Sequence, residues 1–420
     1  MRSRVNFVHF ILALYVICDI YTYAGLLALV PRRYLRGFQL LYVVFSAFVY
    51  YCFYRVYVIL FSGHFFSSSE GNIFLGIFLT ALVGKLVFTA LLLFQDLFRL
   101  LYGSGRLVRG LWAPKQGAEK MPFLPKRRKL LTLATAGIAA VPFFSMLYGI
   151  TKGKYRYVLN RVKLTFKDLP PAFEGYKIVQ ISDIHAGSLD SKAAVERGIQ
   201  LVNDQSPDLI LFTGDMVNSN KDEVDPFIEL FGALRAKQGK YSVLGNHDYY
   251  GVPRNSESEK AAYWASFEEK FVQMGFQLLN NQSAVVEKGT DRIQIVGVEN
   301  WGAGRFFPKE GDLDQALDGV TDQDFCILLS HDPSHWDQKV LDHPRHIPLT
   351  LSGHTHGFQF GINMPGFKWS PAQYRYPRWM GLYREKEQYL YVNRGFGFLS
   401  FPGRVGMWPE ITVFELSGKA

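Results

Sequence analysis

Cysteine is rare in this 420-residue chain, which contains only Cys18, Cys52 and Cys326. The first two lie in apolar, membrane-like stretches and the third in a strand-like run, DFCILLS. Cysteines placed in this way argue against a disulfide framework and against a thiolate zinc site. Any metal that the chain binds must therefore be held by His, Asp and Asn.

Two common hydrolase signatures are also missing. The sequence contains neither a G-x-S-x-G nucleophile elbow nor a G-x-x-x-x-G-K-[ST] phosphate loop. These absences argue against a serine hydrolase of that type and against a P-loop nucleotidase.

Acidic residues are scarce in the first part of the chain. Residues 1–150 contain 16 Lys and Arg against 4 Asp and Glu, whereas residues 151–420 contain 30 against 33. The net charge of +9 is therefore +12 in the first part and −3 in the second. A nucleic-acid-binding protein would carry its basic excess on the folded domain, so we expect no nucleic-acid binding. The excess instead flanks apolar segments, as membrane topology signals do.

Long apolar runs make up most of residues 1–150. A membrane-spanning helix needs about 20 apolar residues. Runs that meet this length lie at 7–29, 38–61 and 73–94, with a milder fourth at 130–150. The sequence therefore predicts a three-helix transmembrane region over 1–101, a basic cytoplasmic loop over 102–129 and a fourth span over 130–150.

The basic residues between the spans predict an orientation. Eight Lys and Arg lie in the predicted loop 102–129 and three Arg lie in 31–37, whereas 62–71 has none. Because cytoplasmic loops carry the positive charge, this pattern predicts a multi-pass cell-membrane protein whose residues beyond 150 are extracytoplasmic. The stretch KRRKLLTLATAG resembles a twin-arginine export signal, and an ordinary basic stop before a spanning helix is an equal alternative. Both interpretations export the second half of the chain.

From Tyr176 onward, short apolar runs alternate with helical ones, and strands predominate later. KIVQISDIH, DLILFTGDMV and KYSVLGNHDYY are typical of strands that end in polar residues, with amphipathic helices between them. This alternation predicts a layered α/β sandwich with mixed sheets.

Five polar clusters fall just past the ends of the predicted strands. They are Asp183 with His185; Gly214-Asp215; Gly245-Asn246-His247-Asp248; His331; and Gly353-His354-Thr355-His356. Each alone is compatible with an ordinary turn. Ligands of open α/β sheets bind beyond the strand ends, so five such clusters with metal-ligating residue types indicate one metal site.

This ordered set resembles the calcineurin-like metallophosphoesterase superfamily over about residues 175–416, and most of all its membrane-anchored bacterial subgroup. The chain departs from the subgroup at Phe358, which replaces the third glycine of GHTHGGQ, and we expect an altered rim there. The resemblance implies an α/β fold, a four-layer α/β/β/α sandwich with mixed sheets over 155–420, preceded by the all-α transmembrane region.

The same resemblance implies two divalent metal ions about 3.5–4 Å apart. It assigns Asp183, His185 and His356 to one ion, Asn246, His331 and His354 to the other, and Asp215 to both. A hydroxide held by both ions would attack phosphorus in line. Imidazole, carboxylate and amide ligands favour Mn, Fe or Zn over Ca or Mg.

The catalytic assignments also follow from the resemblance. His247 would bind the phosphate, with Asn246, and protonate the leaving oxygen, while Asp248 would orient His247. Arg394, in NRGFGF, resembles a substrate-binding arginine of the subgroup, and a structural salt bridge is the equal alternative.

Two functions remain open at this stage. The first is a membrane-anchored phosphodiesterase or pyrophosphatase acting on a phospholipid, nucleotide-linked or cell-envelope substrate. The second is a transporter or sensor whose outer domain binds metal without catalysis; His247 favours the enzyme. The aromatic and basic segment 363–387, with Trp369 and Trp379, either contacts the outer leaflet or is an ordinary packed loop.

Overall fold

The computed structural model describes residues 2–61, 69–112, 125–304 and 307–418. These residues form two compact units, which divide near Gly149. The first is helical, and the second, from Gly149 onward, contains both α and β structure.

Four helices make up the first unit. They are α1 (Arg2–Leu27), α2 (Leu35–Phe61), α3 (Ser69–Trp112) and α4 (Pro125–Thr151). Each contains a stretch long and apolar enough to cross a membrane: Asn6–Leu27, Arg32–Phe61, Glu70–Gly105 and Lys129–Thr151. The stretches overlap all four runs that the sequence predicts as spans. Large apolar side chains such as Leu41 and Phe94 are 70–71% exposed, as expected of residues that face lipid.

The basic stretch 102–129 differs from the predicted loop. Residues 102–112 continue α3 and residues 125–129 begin α4, while 113–124 lie outside the described residues. The reason is that Lys, Arg and Leu are good helix formers, so a membrane helix continues readily into such a sequence.

An ion pair lies inside the helical unit. Lys85 of α3 contacts the carboxylate of Asp19 of α1, and both side chains are buried. The same carboxylate accepts hydrogen bonds from Tyr42 Oη at 2.8 Å and Ser46 Oγ at 2.9 Å, both on α2. One acidic group thus joins three helices.

The second unit contains fourteen strands among the described residues. They are β1 (Val158–Phe166), β2 (Lys177–Ile181), β3 (Leu209–Phe212), β4 (Lys240–Ser242), β5 (Gln277–Leu278), β6 (Gln282–Lys288), β7 (Asp291–Gly297), β8 (Phe325–Leu329), β9 (Leu349–Ser352), β10 (Ile362–Met364), β11 (Phe367–Trp369), β12 (Gly381–Glu385), β13 (Gln388–Val392) and β14 (Glu410–Gly418). The helices that pack on them are α5 (Lys192–Asn203), α6 (Ile228–Gly232), α7 (Glu257–Gln273) and α8 (Leu313–Ala316).

Two six-stranded sheets form the centre of this unit, in the orders β1-β14-β2-β3-β4-β5 and β12-β13-β9-β8-β7-β6. Both are mixed: β14 is antiparallel to β2, and β6 and β12 are antiparallel to β7 and β13, whereas the remaining pairs are parallel. The predicted mixed sheets are confirmed.

The sheets pack face to face through one apolar core. Ile178 and Leu211 of the first sheet and Ile327 and Leu351 of the second belong to a common buried cluster. A second cluster joins the outer face of the first sheet to α5 and α7, and a third joins the outer face of the second sheet to α8 and Trp336. This arrangement is the α/β/β/α sandwich that the resemblance implies.

Candidate metal centre

All five predicted clusters follow strands of the two sheets directly. Asp183, Asp215 and Asn246 come after β2, β3 and β4, while His331 and His354 come after β8 and β9. Backbone hydrogen bonds tie these loops together: Asp183 N donates to Gly214 O at 2.9 Å, and Gly353 N donates to His331 O at 2.9 Å. The loops therefore meet at one edge of the sandwich.

The backbone at these loops is unusual. Asp183, His185, Asp215, His354 and His356 all have φ between +49° and +71°. Side chains disfavour this left-handed region, and such strain gathers at functional sites. The local conformation thus aims these side chains at a common point at some cost in stability.

Two glycines allow the loops to approach closely. A Cβ atom on Gly353 would lie 2.2 Å from Asp183 Oδ2, and one on Gly245 would lie 2.2 Å from Asp215 Oδ1. No side chain fits at either distance, which explains the glycines that begin the GNHD and GHTH blocks.

The first group of converging side chains consists of Asp183, His185, Asp215 and His356, whose ligand atoms lie within 4.8 Å of one another. His356 Nε2 is 2.9 Å from His185 Nε2 and 3.3 Å from Asp183 Oδ1. Two imidazole nitrogens this close must share a proton or face a common cation, because their lone pairs would otherwise repel each other.

The second group consists of Asp215, His331 and His354, so the two groups share Asp215. His331 Nε2 is 3.2 Å from Asp215 Oδ2. Asn246 has a buried Oδ1 with no hydrogen-bond partner among the described residues, although its Nδ2 donates to Tyr250 Oη at 3.2 Å. A buried amide oxygen without a hydrogen-bond partner can serve as a metal ligand.

The electrostatics of the pocket favour cations. Burial raises the pKa of Asp183 to about 7, and the charge of Asp215 adds to the effect against the pull of His331. Burial lowers the pKa of His185 to about 3 and that of His354 to about 4, so both imidazoles are neutral. Burial opposes the charged form of His331, but the Asp215 carboxylate raises the pKa of this ring to about 10, so His331 is protonated beside the buried carboxylates. Loss of that proton leaves a set of imidazole, carboxylate and amide donors that fits two divalent cations.

Hydrogen bonds to neighbouring residues hold the ligand rings in place. His331 Nδ1 donates to Thr213 O at 2.7 Å, which directs Nε2 to Asp215. His354 Nε2 lies 2.8 Å from Tyr376 Oη. Such outer contacts fix the ring orientation of metal-binding histidines.

Arg404 plays the same part for His356. Its side chain is fully buried, and Nη2 lies 3.1 Å from His356 Nδ1. A guanidinium only donates, so Nδ1 accepts and the neutral ring carries its proton on Nε2, at the position that a bound cation would replace. Sequence reasoning missed both Arg404 and Tyr376, because a single sequence contains no signal that pairs residues so far apart along the chain.

Comparison with known proteins agrees with this geometry. Two family models match the chain: a probable calcineurin-like phosphoesterase transmembrane domain over residues 2–154, and calcineurin-like phosphoesterase over residues 176–358. An uncharacterized metallophosphoesterase of Bacillus subtilis, YkuE, is 32% identical over 276 residues, which is 64% of this chain and 89% of that protein. The chain belongs to the calcineurin-like metallophosphoesterase family.

Two further relatives extend the match. A transmembrane protein with a metallophosphoesterase domain from Danio rerio is 29% identical over 79% of this chain and 71% of that protein. The UDP-2,3-diacylglucosamine pyrophosphatase LpxG of Chlamydia trachomatis is 30% identical over 57% of this chain and 84% of that protein. The metallophosphoesterase described here is a metal-dependent phosphohydrolase with an N-terminal transmembrane region.

The predicted proton donor lies beside both groups of ligands. His247 N donates to Asp215 Oδ1 at 2.8 Å, and the ring packs edge to face against His185 with centroids 4.9 Å apart. Its Nδ1 bonds the carbonyl oxygen of Asn218 at 2.7 Å, which fixes the ring.

Asp248, predicted to orient His247, contacts the backbone of the loops around it. Its carboxylate accepts hydrogen bonds from the backbone N–H groups of Asp215, Met216, Val217 and Gly245 at 2.8–3.2 Å. Asp248 of the metallophosphoesterase therefore joins the loop after β3 to the loop after β4, and the His247 ring bonds the carbonyl oxygen of Asn218. The carboxylate accepts hydrogen bonds from four backbone N–H groups that would otherwise be buried without a partner.

Arg394 forms a buried salt bridge, which is one of the two alternatives that the sequence left open. Its side chain is 2% exposed, and Nε donates to Glu410 Oε2 at 2.5 Å. Of the two sequence-based alternatives, the structure contains the salt bridge. Arg394 follows β13 of the second sheet and Glu410 begins β14 of the first, so this ion pair joins the two sheets beside the loops of the site.

Proposed function

We propose that this membrane-anchored metallophosphoesterase hydrolyses a phosphodiester or pyrophosphate bond, with His247 as the proton donor to the leaving oxygen. One observation carries the proposal: Asp215 belongs to both groups of metal-binding side chains, and His247 is held against that same carboxylate. A simple metal-binding domain has no need of an imidazole in that place.

In this scheme Asp183, His185 and His356 hold one cation, Asn246, His331 and His354 hold the other, and Asp215 holds both. The chemistry that such a cation pair supplies when bound is Lewis acidity, which makes water nucleophilic near neutral pH and offsets phosphoryl charge during in-line displacement. Ligands of this type suit Mn, Fe or Zn.

The chain's own residues supply the rest. Because the Asn218 carbonyl binds His247 Nδ1, a protonated His247 would present its Nε2–H for transfer to the departing oxygen. Asn246 Nδ2 donates one hydrogen to the Tyr250 hydroxyl at 3.2 Å, and its second hydrogen can bind a phosphoryl oxygen. Gly245 and Gly353, which lie against Asp215 and Asp183, have no side chains that would block the phosphate.

The relatives support a substrate that contains phosphate and lipid. LpxG is named as a pyrophosphatase of UDP-2,3-diacylglucosamine, a nucleotide-linked lipid. A chain that carries four candidate spans before its phosphoesterase unit is suited to such a substrate. The charge pattern of the loops further supports a position of the catalytic unit, residues 155–420, on the extracytoplasmic face of the cell membrane.

The alternative is a transporter or sensor whose outer unit binds metal without catalysis. Transport sites are built from short, broken helices near the membrane midplane. Here α1, α2 and α3 run without interior proline for 26, 27 and 44 residues, and Pro142 of α4 is the interruption among the described spans. These long helices favour the enzyme.

His247→Asn in the full-length protein in lipid nanodiscs tests the proposal. Hydrolysis of a chromogenic phosphodiester in manganese is expected to fall by about 10²–10⁴-fold, the usual contribution of general acid catalysis. Manganese content, measured by mass spectrometry after desalting, should be unchanged. His346→Asn is the matched control, because His346 is exposed and lies outside the metal centre. A native protein that binds two ions yet hydrolyses no phosphoester with Mn, Fe or Zn would support the non-catalytic alternative.

A further inference from the structure

A small hairpin projects from the catalytic unit directly after the GHTH block. Its strands, β10 and β11, pair only with each other, and Ile362, Met364 and Phe367 are 41–56% exposed. An isolated two-stranded hairpin is marginally stable in water, and exposed apolar surface of this kind marks an interaction site. The hairpin therefore needs a partner that covers its apolar side chains.

The structure divides the aromatic segment 363–387 into two parts. Trp379 is buried against Ala372, Met380 and Met407, so it belongs to the interior. Trp369 is partly buried and donates to Tyr374 Oη at 3.4 Å. Both tryptophans are thus at least partly buried, and the exposed apolar side chains belong to the hairpin.

The end of the last candidate span lies in the same compact unit as the hairpin. The span ends at Thr151, and its final turn packs on the segment that contains Arg404. Arg404 N donates to Gly149 O at 3.3 Å, and a Cβ on Gly153 would lie 2.5 Å from Arg404 O. These close approaches fix the end of the candidate span against the segment that contains Arg404.

Val405 connects that point to the base of the hairpin. It donates to Gln359 O at 2.8 Å and accepts from Gly361 N at 2.9 Å, and Gly361 immediately precedes β10. With a rise of about 3.3 Å per residue, the four steps from Gly361 to the tip at Pro365 span at most about 13 Å. The headgroup layer on each side of a bilayer is about 5–8 Å thick, so the tip is long enough to enter it.

The charge of the hairpin fits a lipid surface. Lys368 is exposed on β11, and Arg375 is exposed a few residues later. Segments that bind anionic lipid at the membrane interface typically combine apolar side chains at a tip with basic side chains beside it. Arg156, just after the span, stacks on Trp408 with 5.1 Å between the guanidinium carbon and the ring centroid, an interfacial pairing at the same exit point.

We propose that the β10–β11 hairpin inserts its tip, Met364 to Phe367, into the headgroup layer of the bilayer that α4 crosses. The hairpin follows the metal-binding His356 by only a few residues, and Arg404 contacts both Gly149 and His356. Insertion therefore seats the metal centre at the membrane surface, where the phosphate of a lipid headgroup reaches it. This consequence for the substrate rests on the proposed function, whereas the insertion itself does not.

Spin labels on the full-length protein test the insertion. The label is placed at Met364→Cys, with Val285→Cys as the matched control, because Val285 is 47% exposed on β6 at the far edge of the second sheet. The native Cys18, Cys52 and Cys326 are buried. In nanodiscs of phosphatidylethanolamine and phosphatidylglycerol, the label at 364 should collide more with oxygen and less with a nickel chelate than the label at 285. Equal collision rates at the two positions would overturn the proposal. So would protection of position 364 from both reagents, which would indicate contact with another protein copy.

A second variant separates the substrate consequence from the proposed function. Met364→Ser combined with Phe367→Ser should raise the KM for a lipid pyrophosphate in vesicles about tenfold, the factor that 1.4 kcal/mol makes in an equilibrium. Hydrolysis of a soluble chromogenic phosphodiester should be unchanged. Equal KM values for the lipid would overturn the substrate consequence, whereas a membrane-inserted label in a protein that hydrolyses no phosphoester would overturn only the proposed function.

Discussion

Replacement of Arg404 by lysine should weaken metal binding without removing any metal ligand. The Arg404 guanidinium is fully buried and donates to five acceptors. Four are the carbonyl oxygens of His356, Arg394, Gly397 and Met407, and the fifth is His356 Nδ1. The guanidinium thus holds the ring of one predicted ligand and the loops around it.

The expected magnitude follows from the number of donors. Lysine keeps the charge but offers three hydrogens on one nitrogen, so at least two of the five acceptors lose their partner. A buried acceptor left unpaired costs about 1–3 kcal/mol, which gives a loss of about 2–6 kcal/mol in the free energy of unfolding. Loss of a residue that orients a metal ligand lowers metal affinity by about 10–100-fold.

The assay is manganese binding by the full-length protein in detergent, measured by calorimetry and by metal content after desalting. Arg345→Lys is the matched control. Arg345 is also buried and donates to the carbonyl oxygens of Val320, Thr321 and Asp324, none of which is a predicted ligand. Both variants should unfold at lower temperature, but only Arg404→Lys should bind manganese more weakly. If the two bind manganese as tightly as the native chain, Arg404 merely stabilises the fold and our reasoning is wrong.

Three further predictions concern other parts of the chain. Gly353→Ala should abolish binding of the ion assigned to Asp183, since the new methyl group would lie 2.2 Å from Asp183 Oδ2. Gly232→Ala is the control, because its methyl group would meet one atom at 3.6 Å; this variant should keep the native manganese content after desalting. Manganese at 100 times its dissociation constant should stabilise the protein by about 2.7 kcal/mol for each bound ion. The melting temperature should rise accordingly and fall again when a chelator is added. An unchanged melting temperature would argue against a resident cation. Asp19→Asn or Lys85→Met alone should destabilise the detergent-solubilised protein by about 3–5 kcal/mol, and the double variant should lose clearly less stability. Thermal unfolding of the four proteins in a double-mutant cycle measures this; additive losses would show that the two residues are not coupled.

The sequence was sufficient for the parts of the molecule that short-range patterns encode. The apolar runs marked four spans, and strand–helix alternation indicated the mixed sheets. The carboxyl ends of adjacent parallel strands meet at one sheet edge, so the polar clusters that follow them converge. For this reason the sequence alone could place Asp183 and His356, which are far apart along the chain, in one site. This part of the prediction depended on local pattern and topology.

The remaining features depend on contacts that no local pattern encodes. The use of Asp248 by four backbone donors, the salt bridge of Arg394 with Glu410 and the burial of Trp379 follow from how loops pack in three dimensions. Residues 102–112 and 125–129 of the predicted cytoplasmic loop are helical, since Lys, Arg and Leu support helices well.

The ion pair between α1 and α3 has a consequence for biogenesis. An isolated charge in the hydrocarbon core is costly, so neither helix can remain there alone without its counter-charge. Asp19 and Lys85 are 66 positions apart, and the second is synthesised only after α2 is complete. We therefore expect the first helix to stay at the translocation machinery or at the lipid boundary until the third emerges, so that the helices enter the bilayer as one set.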